Sequence, residues 1–243
     1  MQIDINCDVG EGIANEHLLM PYISSCNIAC GGHFGDADSI DKTLRLAIKN
    51  SVKIGVHPSF PDTKNFGRKR IYLSEEELKI SLETQMDLFL KRLHFFGGTL
   101  HHIKPHGALY NSITIDKQLA LSFLKIMKKY LSSCFLYVPY NSVIEQISNE
   151  QNIKIKYEAF ADRNYNDDLT LVSRNYKNAL INQKEKVLKH VDFMLKNNKV
   201  KTISGNTVPI KVDTLCVHGD SKNVVEIVQY LYNELQNQGI TIE

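Results

Sequence analysis

Residues 100–111 read LHHIKPHGALYN. An apolar start runs into His101, His102 and Lys104, and Pro105, which has no N–H to give a β-ladder, ends the extended run before His106 and Gly107 open a loop. If the run is a strand, His102 and Lys104 share one face and His101 takes the other. The same order recurs along the chain: a short apolar run, a polar cluster, then a longer amphipathic stretch. Short runs fall near 2–6, 24–29, 52–57, 99–104, 134–138, 153–158 and 212–217, and amphipathic stretches cover 36–50, 74–96, 116–131, 183–198 and 223–238. That alternation predicts repeated βα units and a parallel sheet. With seven strands it predicts an α/β fold closed, or nearly closed, into a barrel; an open doubly wound sheet is the alternative. Ser74 and Glu77 have capping-box spacing, and Gly97-Gly98 stops that helix before the next strand.

The polar clusters occupy one position in each unit, at the end of the strand or just after it. They are DINCDVGEG (4–12), NIACGGHFGD (27–36), VHPSFPD (56–62), HHIKPHG (101–107), EAFADR (158–163) and CVHGD (216–220). Loops after parallel strands converge at one end of a barrel, where α/β enzymes carry their sites. Asp4, Asn6 and Asp8 alternate toward the interior, where paired carboxylates need a cation, a shared proton or a metal. His33, His57 and His218 end separate units. Asp36 accompanies His33 and also stands where it can cap the next helix. Lys104 brought indoors can polarise a carbonyl, hold an anion or lose a proton; otherwise it is one half of a buried ion pair. Glu158, Asp162 and Arg163 form a further acid–base set, and Cys216, His218 and Asp220 alternate on the last strand.

Composition narrows the classes of function. A chain of 243 residues that is 43% hydrophobic can bury a core, and one domain over 1–243 is the expectation. A balance of 29 Lys and Arg against 27 Asp and Glu, without basic clusters, leaves no nucleic-acid or membrane-surface footprint and directs attention to a small molecule or another protein as partner. No basic leader with an apolar stretch opens the chain and no run is long enough to cross a bilayer, so a cytoplasmic location is expected. Five cysteines without a C-x-x-C pair read as buried packing thiols; a zinc site from Cys7, Cys26, Cys30 and Cys216 is the less favoured reading. P-loop, Rossmann and G-x-S-x-G motifs are absent, so water or a metal-bound hydroxide is the expected nucleophile.

In this order the clusters, with FGR (66–68), LVSR (171–174) and the longer HIKPHGALYN and EAFADRNY, resemble the LamB/YcsF family, from Asp4 to Asp220. Gly32 departs from the pattern, where a larger residue is expected. The resemblance implies a distorted seven-stranded (β/α) barrel of the glycoside hydrolase/deacetylase type. It also implies the A subunit of a 5-oxoprolinase, opening 5-oxo-L-proline to L-glutamate with ATP and with B and C subunits. In that reading Asp8, His33, His57, Lys104 and His106 are the catalytic candidates. Asn6, Glu11, Asp36, Glu158, Arg163, His218 and Asp220 are the binding candidates. Asp8, with His33 or His57, would direct the attacking water, alone or through a divalent ion such as Mg²⁺; Lys104 and His106 would stabilise an oxyanion or leaving phosphate, and Arg163 would grip the substrate carboxylate. ATP would be bound and hydrolysed with the partner subunits, and a homo-oligomer is compatible. The alternatives are a self-sufficient metal-dependent hydrolase and a non-catalytic ligand-binding subunit.

Overall fold

Each of the seven apolar runs forms a strand. The structure, a computed structural model, describes residues 1–219 and 223–243. In chain order the elements are β1 (Gln2–Val9), α1 (Glu16–Leu19), β2 (Ser25–Ala29), α2 (Ala37–Lys49), β3 (Lys53–His57), α3 (Glu75–Phe95), β4 (Leu100–Ile103), α4 (Gly107–Ile115) and α5 (Lys117–Leu131). There follow β5 (Phe135–Pro139), α6 (Val143–Glu150), β6 (Ile155–Phe160), α7 (Lys184–Asn197), β7 (Lys199–Lys201), β8 (Thr207–Pro209), β9 (Thr214–Val217), α8 (Val224–Asn237) and β10 (Thr241–Ile242).

Strands β1 to β6 pair in sequence, all parallel, β9 adds to β6, and β9 also pairs with β1 from Asp4↔Thr214 to Cys7↔Val217. The sheet therefore closes on itself as a seven-stranded barrel flanked by helices, and the open-sheet alternative is excluded. Closure is uneven at β4, which slips register against β3 between Ile54 and Gly55 and meets β5 at only two positions, His102↔Phe135 and Ile103↔Leu136. β10 extends the lower part of β1, and β7 and β8 form a separate antiparallel hairpin before β9.

Along β1 the apolar Ile3, Ile5, Cys7 and Val9 share one face and are buried in the hydrophobic core; Asp4, Asn6 and Asp8 share the other and are buried too. A strand apolar on one face and carboxylate-bearing on the other packs helices outside and polar groups inside. The helix ends follow the sequence signals: Asp36 with Ser39 and Ser74 with Glu77 form reciprocal capping boxes, and Gly97 takes a left-handed φ of 67° just past α3. Three helices go beyond the sequence reading, the single-turn α1 among them. Gly107 starts α4 with His106 at its N-cap, where a loop was expected, and α6 starts after Ser142, whose hydroxyl accepts from Glu145 N. All five cysteines are free and buried, as packing thiols are. No helix among the described residues is long and apolar enough to cross a membrane.

Candidate functional site

A column of hydrogen-bonded polar side chains fills the barrel. Near the start of β1, Asp4 is held by hydroxyls: Ser24 at 2.8 Å, Ser25 at 2.7 Å and Thr214. One layer up, Asn6 donates to Thr214 at 2.7 Å and to Glu158 at 3.0 Å, and accepts from Asn27 at 2.8 Å. Above it Lys104 Nζ lies 2.9 Å from both Asp8 and Glu158, with Asn6 Oδ1 at 3.3 Å and Cys216 Sγ at 3.1 Å. An ammonium has three protons, so these contacts exhaust Lys104 and make it the counter-ion of the two carboxylates. Direct donation to an oxyanion, the role anticipated for it, would require one of these bonds to break.

The electrostatics follow from the burial. Desolvation would raise Asp8, but the positive groups around it, the Lys104 ammonium at 2.9 Å among them, overcome it and hold the carboxyl well below the usual range. Desolvation would lower Lys104, and Asp8, Cys216 and Glu158 overcome it, holding the ammonium well above its ordinary value. Burial pushes the Cys216 thiol well up, so it is no nucleophile. His102, stacked on Tyr137 at 3.9 Å between ring centroids, donates through Nε2 to Asn27 Oδ1 at 2.6 Å; this turns the Asn27 amide so that its Nδ2 donates to Asp8 at 2.8 Å. Burial, then the charges of His101 and Lys104, keep His102 well below the ordinary imidazole range.

At the strand ends, Glu11, His33, His57 and His106 gather, all buried, with ligand atoms within 4.8 Å of one another, a group able to hold a metal ion. Glu11 Oε1 lies 2.9 Å from His33 Nε2 and 3.4 Å from His106 Nδ1; His57 Nε2 lies 2.9 Å from His106 Nδ1 and 3.5 Å from Asp8 Oδ1. The loop after β3 walls this group in. Gly67 passes so close that a Cβ there would come within 2.8 Å of His106 and 2.9 Å of His33. Gln85 on α3 braces the same loop with bonds of 2.9 Å to Ser59 N and Ser59 O, and a Cβ on Gly32 would meet Gln85 and Ser59 at 2.3 Å. The space for a larger residue at 32 is thus filled by Gln85 and Ser59.

A cavity of about 870 Å³ opens above, lined by Asp8, Glu11, His57, Lys104, His106 and Glu158 on one side. Arg163 and His218 line it too, from the segments after β6 and β9. His218 Nδ1 donates to Asp162 at 2.9 Å, and the buried Asp162 fixes the tautomer and leaves Nε2 as the acceptor. Arg163, 6% exposed, donates from Nη2 to Val172 O at 2.7 Å, but its Nε finds no partner among the described residues, nor does Glu158 Oε2. Burial, with the nearby charge of Arg174, pulls the Arg163 guanidinium below its ordinary value against the opposing charge of Asp162.

Of the residues singled out from sequence, three take other places. Asp36 is exposed and caps α2 away from the cavity; Asn6 lies beneath it in the barrel; His33 lies behind Glu11 and does not line it. Asp220 lies outside the described residues. Sequence reading missed Asn27, Tyr110 and Tyr137. Asn27 alternates with Ala29 and Ser25 on β2 just as the β1 carboxylates do, a signal that would have placed it indoors.

The model of the LamB/YcsF family matches residues 3–243. The 5-oxoprolinase A subunit of Pyrococcus horikoshii is 38% identical over 247 residues, spanning 100% of this chain and 97% of the relative. That of Natranaerobius thermophilus is 39% identical over 246 residues, spanning 99% and 96%. Among solved structures, the lactam utilization protein from Thermus thermophilus superposes with a TM-score of 0.93 at 31% identity, over 100% of this chain and 99% of that one. A T48 deacetylase with substrate reaches 0.50 at 15% identity, over 100% and 87%, a likeness of fold alone.

Proposed function

The chain belongs to the LamB/YcsF family, and from that premise we propose that it is the A subunit of an ATP-dependent 5-oxoprolinase, opening 5-oxo-L-proline to L-glutamate with B and C subunits. The relatives' names support the activity. The observation that carries it is the pairing on one cavity wall of a buried acceptor, Glu158 Oε2, with a buried guanidinium, Arg163, both with bonding capacity to spare. 5-Oxoproline presents an amide N–H beside a carboxylate, the donor and the anion that such a wall receives. Arg163 holds the carboxylate and Glu158 accepts from the ring N–H. This places the lactam carbonyl toward Asp8 and the histidines.

The lactam is a stable amide, so its opening is coupled to phosphoryl transfer. The chain has no P-loop, and ATP is bound and spent with the partner subunits, in the cytoplasm, to phosphorylate the lactam oxygen. The A subunit then directs water to the activated carbon. Asp8, kept ionised by the Lys104 ammonium 2.9 Å away, takes the proton of that water. The C–N bond breaks to leave an acyl phosphate, and the departing nitrogen takes up the proton removed from the water, relayed through Asp8 or the Asp162-held imidazole of His218. A second water then releases phosphate to leave the side-chain carboxylate. A divalent ion held by the Glu11–histidine group would act as a Lewis acid toward the oxygen on the attacked carbon and lower the pKa of a bound water.

The test is glutamate release from 5-oxoproline by the chain alone and with B, C and ATP, using the Asp8→Asn variant as control. Turnover only in the full mixture is expected, abolished by Asp8→Asn in a chain that still folds but is less stable by the lost pairing with Lys104. The histidine group also favours a second reading, a self-sufficient metal-dependent amide hydrolase; hydrolysis by the isolated chain without ATP would put that reading first.

A further inference from the structure

His57 and His106 each have one ring nitrogen bound to a main-chain carbonyl: His57 Nδ1 to Lys104 O at 2.7 Å, and His106 Nε2 to Phe66 O at 3.0 Å. A carbonyl oxygen only accepts, so both rings carry their proton on that outer nitrogen. The inner nitrogens, His57 Nε2 and His106 Nδ1, then face each other with lone pairs 2.9 Å apart, and their planes cross at 82°. Two lone pairs at that separation repel unless a positive species binds both.

Glu11 Oε1 completes a triangle with them, 3.4 Å from His106 Nδ1 and 4.0 Å from His57 Nε2. Three donors around a tetrahedral ion at the usual bond lengths of about 2.0–2.1 Å stand about 3.3 Å apart, close to the spread seen here. His33 does not join them. Its ring stacks on His106 with centroids 3.7 Å apart and planes 6° from parallel, and an ion cannot lie in both ring planes, where the lone pairs are. It donates instead to Glu11 Oε1 at 2.9 Å, as groups behind a metal ligand do. Asp8 stands outside this group, its Oδ1 accepting from Lys104 and Asn27.

We propose that Glu11, His57 and His106 form a two-histidine, one-carboxylate centre for Zn²⁺ or a similar nitrogen-binding divalent ion, with His33 as its outer support and its fourth position open to the cavity. All three ligands line the cavity and His33 does not, which places the open position on the cavity side. A shared proton would also satisfy the two imidazoles, with Glu11 as its counter-ion, and it is the alternative that metal titration separates from the centre. Mg²⁺ fits poorly, because it prefers six oxygen ligands and retains its waters. The charges agree: Asp8, Glu11 and Glu158 are set against Lys104, and a divalent ion balances the remainder. The centre follows from side-chain geometry and stands apart from the lactam reading.

The experiment is titration of chelator-stripped full-length protein with Co²⁺, followed by its visible absorption, with Zn²⁺ and Mg²⁺ as competitors. One Co²⁺ per chain is expected, with the strong absorption of a four- or five-coordinate site, displaced by Zn²⁺ and not by millimolar Mg²⁺. His106→Gln and Glu11→Gln should each weaken binding by more than about a hundredfold, and His33→Gln by about 10- to 100-fold, with urea midpoints monitored for each. Absence of saturable Co²⁺ binding by the wild-type chain overturns the proposal in favour of a shared proton. Displacement by Mg²⁺, or a loss in His33→Gln as large as in His106→Gln, overturns the ligand set. Glutamate formation by the full enzyme in the absence of a Co²⁺ site would sink this inference and leave the proposed function standing.

Discussion

Lys104→Met removes a charge while keeping an unbranched apolar stem, and it leaves two buried carboxylates, Asp8 and Glu158, without the ammonium that lies 2.9 Å from each. Removing one partner of a buried ion pair costs about 3–5 kcal/mol, because the other charge stays desolvated. With two carboxylates stranded the upper part of that range applies, about 4–5 kcal/mol. Domains hold only about 5–15 kcal/mol in total, and in a chain of this length each kcal/mol moves Tm by about 2–4 °C, so a fall of about 8–20 °C is expected. The pH dependence has a definite sign. In the wild-type chain Asp8 is held well below the usual range, so its contribution is complete above the unfolded value of about 3.9 and is lost only as pH falls through the folded value. Without Lys104 the folded values of the carboxylates move up, protonation relieves the variant, and its deficit narrows as pH is lowered from 8 toward 5. Urea unfolding of both proteins at several pH values measures the difference, in which the titration of other groups cancels. A deficit below about 1 kcal/mol, or one that is the same at every pH, would refute the assignment of Lys104 as counter-ion. Lys104→Met with Glu158→Gln should recover part of the loss.

Three further outcomes follow from the same geometry. A Cβ on Gly55 would come within 2.1 Å of His102 Nε2, so Gly55→Ala should cost about 1–3 kcal/mol by overpacking; with His102→Ala the loss should be less than the sum, read from a double-mutant cycle. Arg163→Met should raise KM for 5-oxoproline about 10- to 150-fold with little change in kcat, the equivalent of one charged hydrogen bond of about 1.5–3 kcal/mol; an unchanged KM removes Arg163 from the carboxylate. Burial holds His102 well below the ordinary imidazole range and His101 and His190 down at about 4. The unfolded chain therefore binds protons near pH 6.5 that the folded chain refuses, and the urea midpoint should fall steadily from pH 7 to 5; a flat midpoint would contradict the neutral burial of these rings.

Much of the barrel could be read from the chain because strand period and burial are local properties. All seven strands lie within about two residues of the apolar runs, apart from the longer end of β1, and the five amphipathic stretches are helices. The three helices that escaped lacked local signal, and α1 is a single turn of four residues. α4 is GALYNSITI, rich in residues that favour strands and almost apolar all round, so it has no helical stripe. α6 has only eight residues, and its one clear mark was Ser142 with Glu145 three positions on, the spacing of a cap.

The site divides along the same line. Alternation was enough to send Asp4, Asn6 and Asp8 to one face and His102 and Lys104 to another, since the direction of a strand side chain depends only on parity. Pairing is a different matter: Lys104 lies 96 residues from Asp8, and Asn6 is 152 from Glu158, so closure of the barrel decides who meets whom. Glu11 marks where parity stops. It stands beyond Val9 between Gly10 at φ 73° and Gly12 at φ 81°, and in that left-handed turn the chain leaves the strand and turns the carboxylate toward His33, His57 and His106. Asp8, with the right parity, therefore looks from sequence like the metal ligand, while the carboxylate that faces the imidazoles belongs to the turn. The difference is physical: the strand carboxylate is paired with a lysine fixed in the barrel wall, and the turn carboxylate faces imidazoles where Asp8 faces an ammonium.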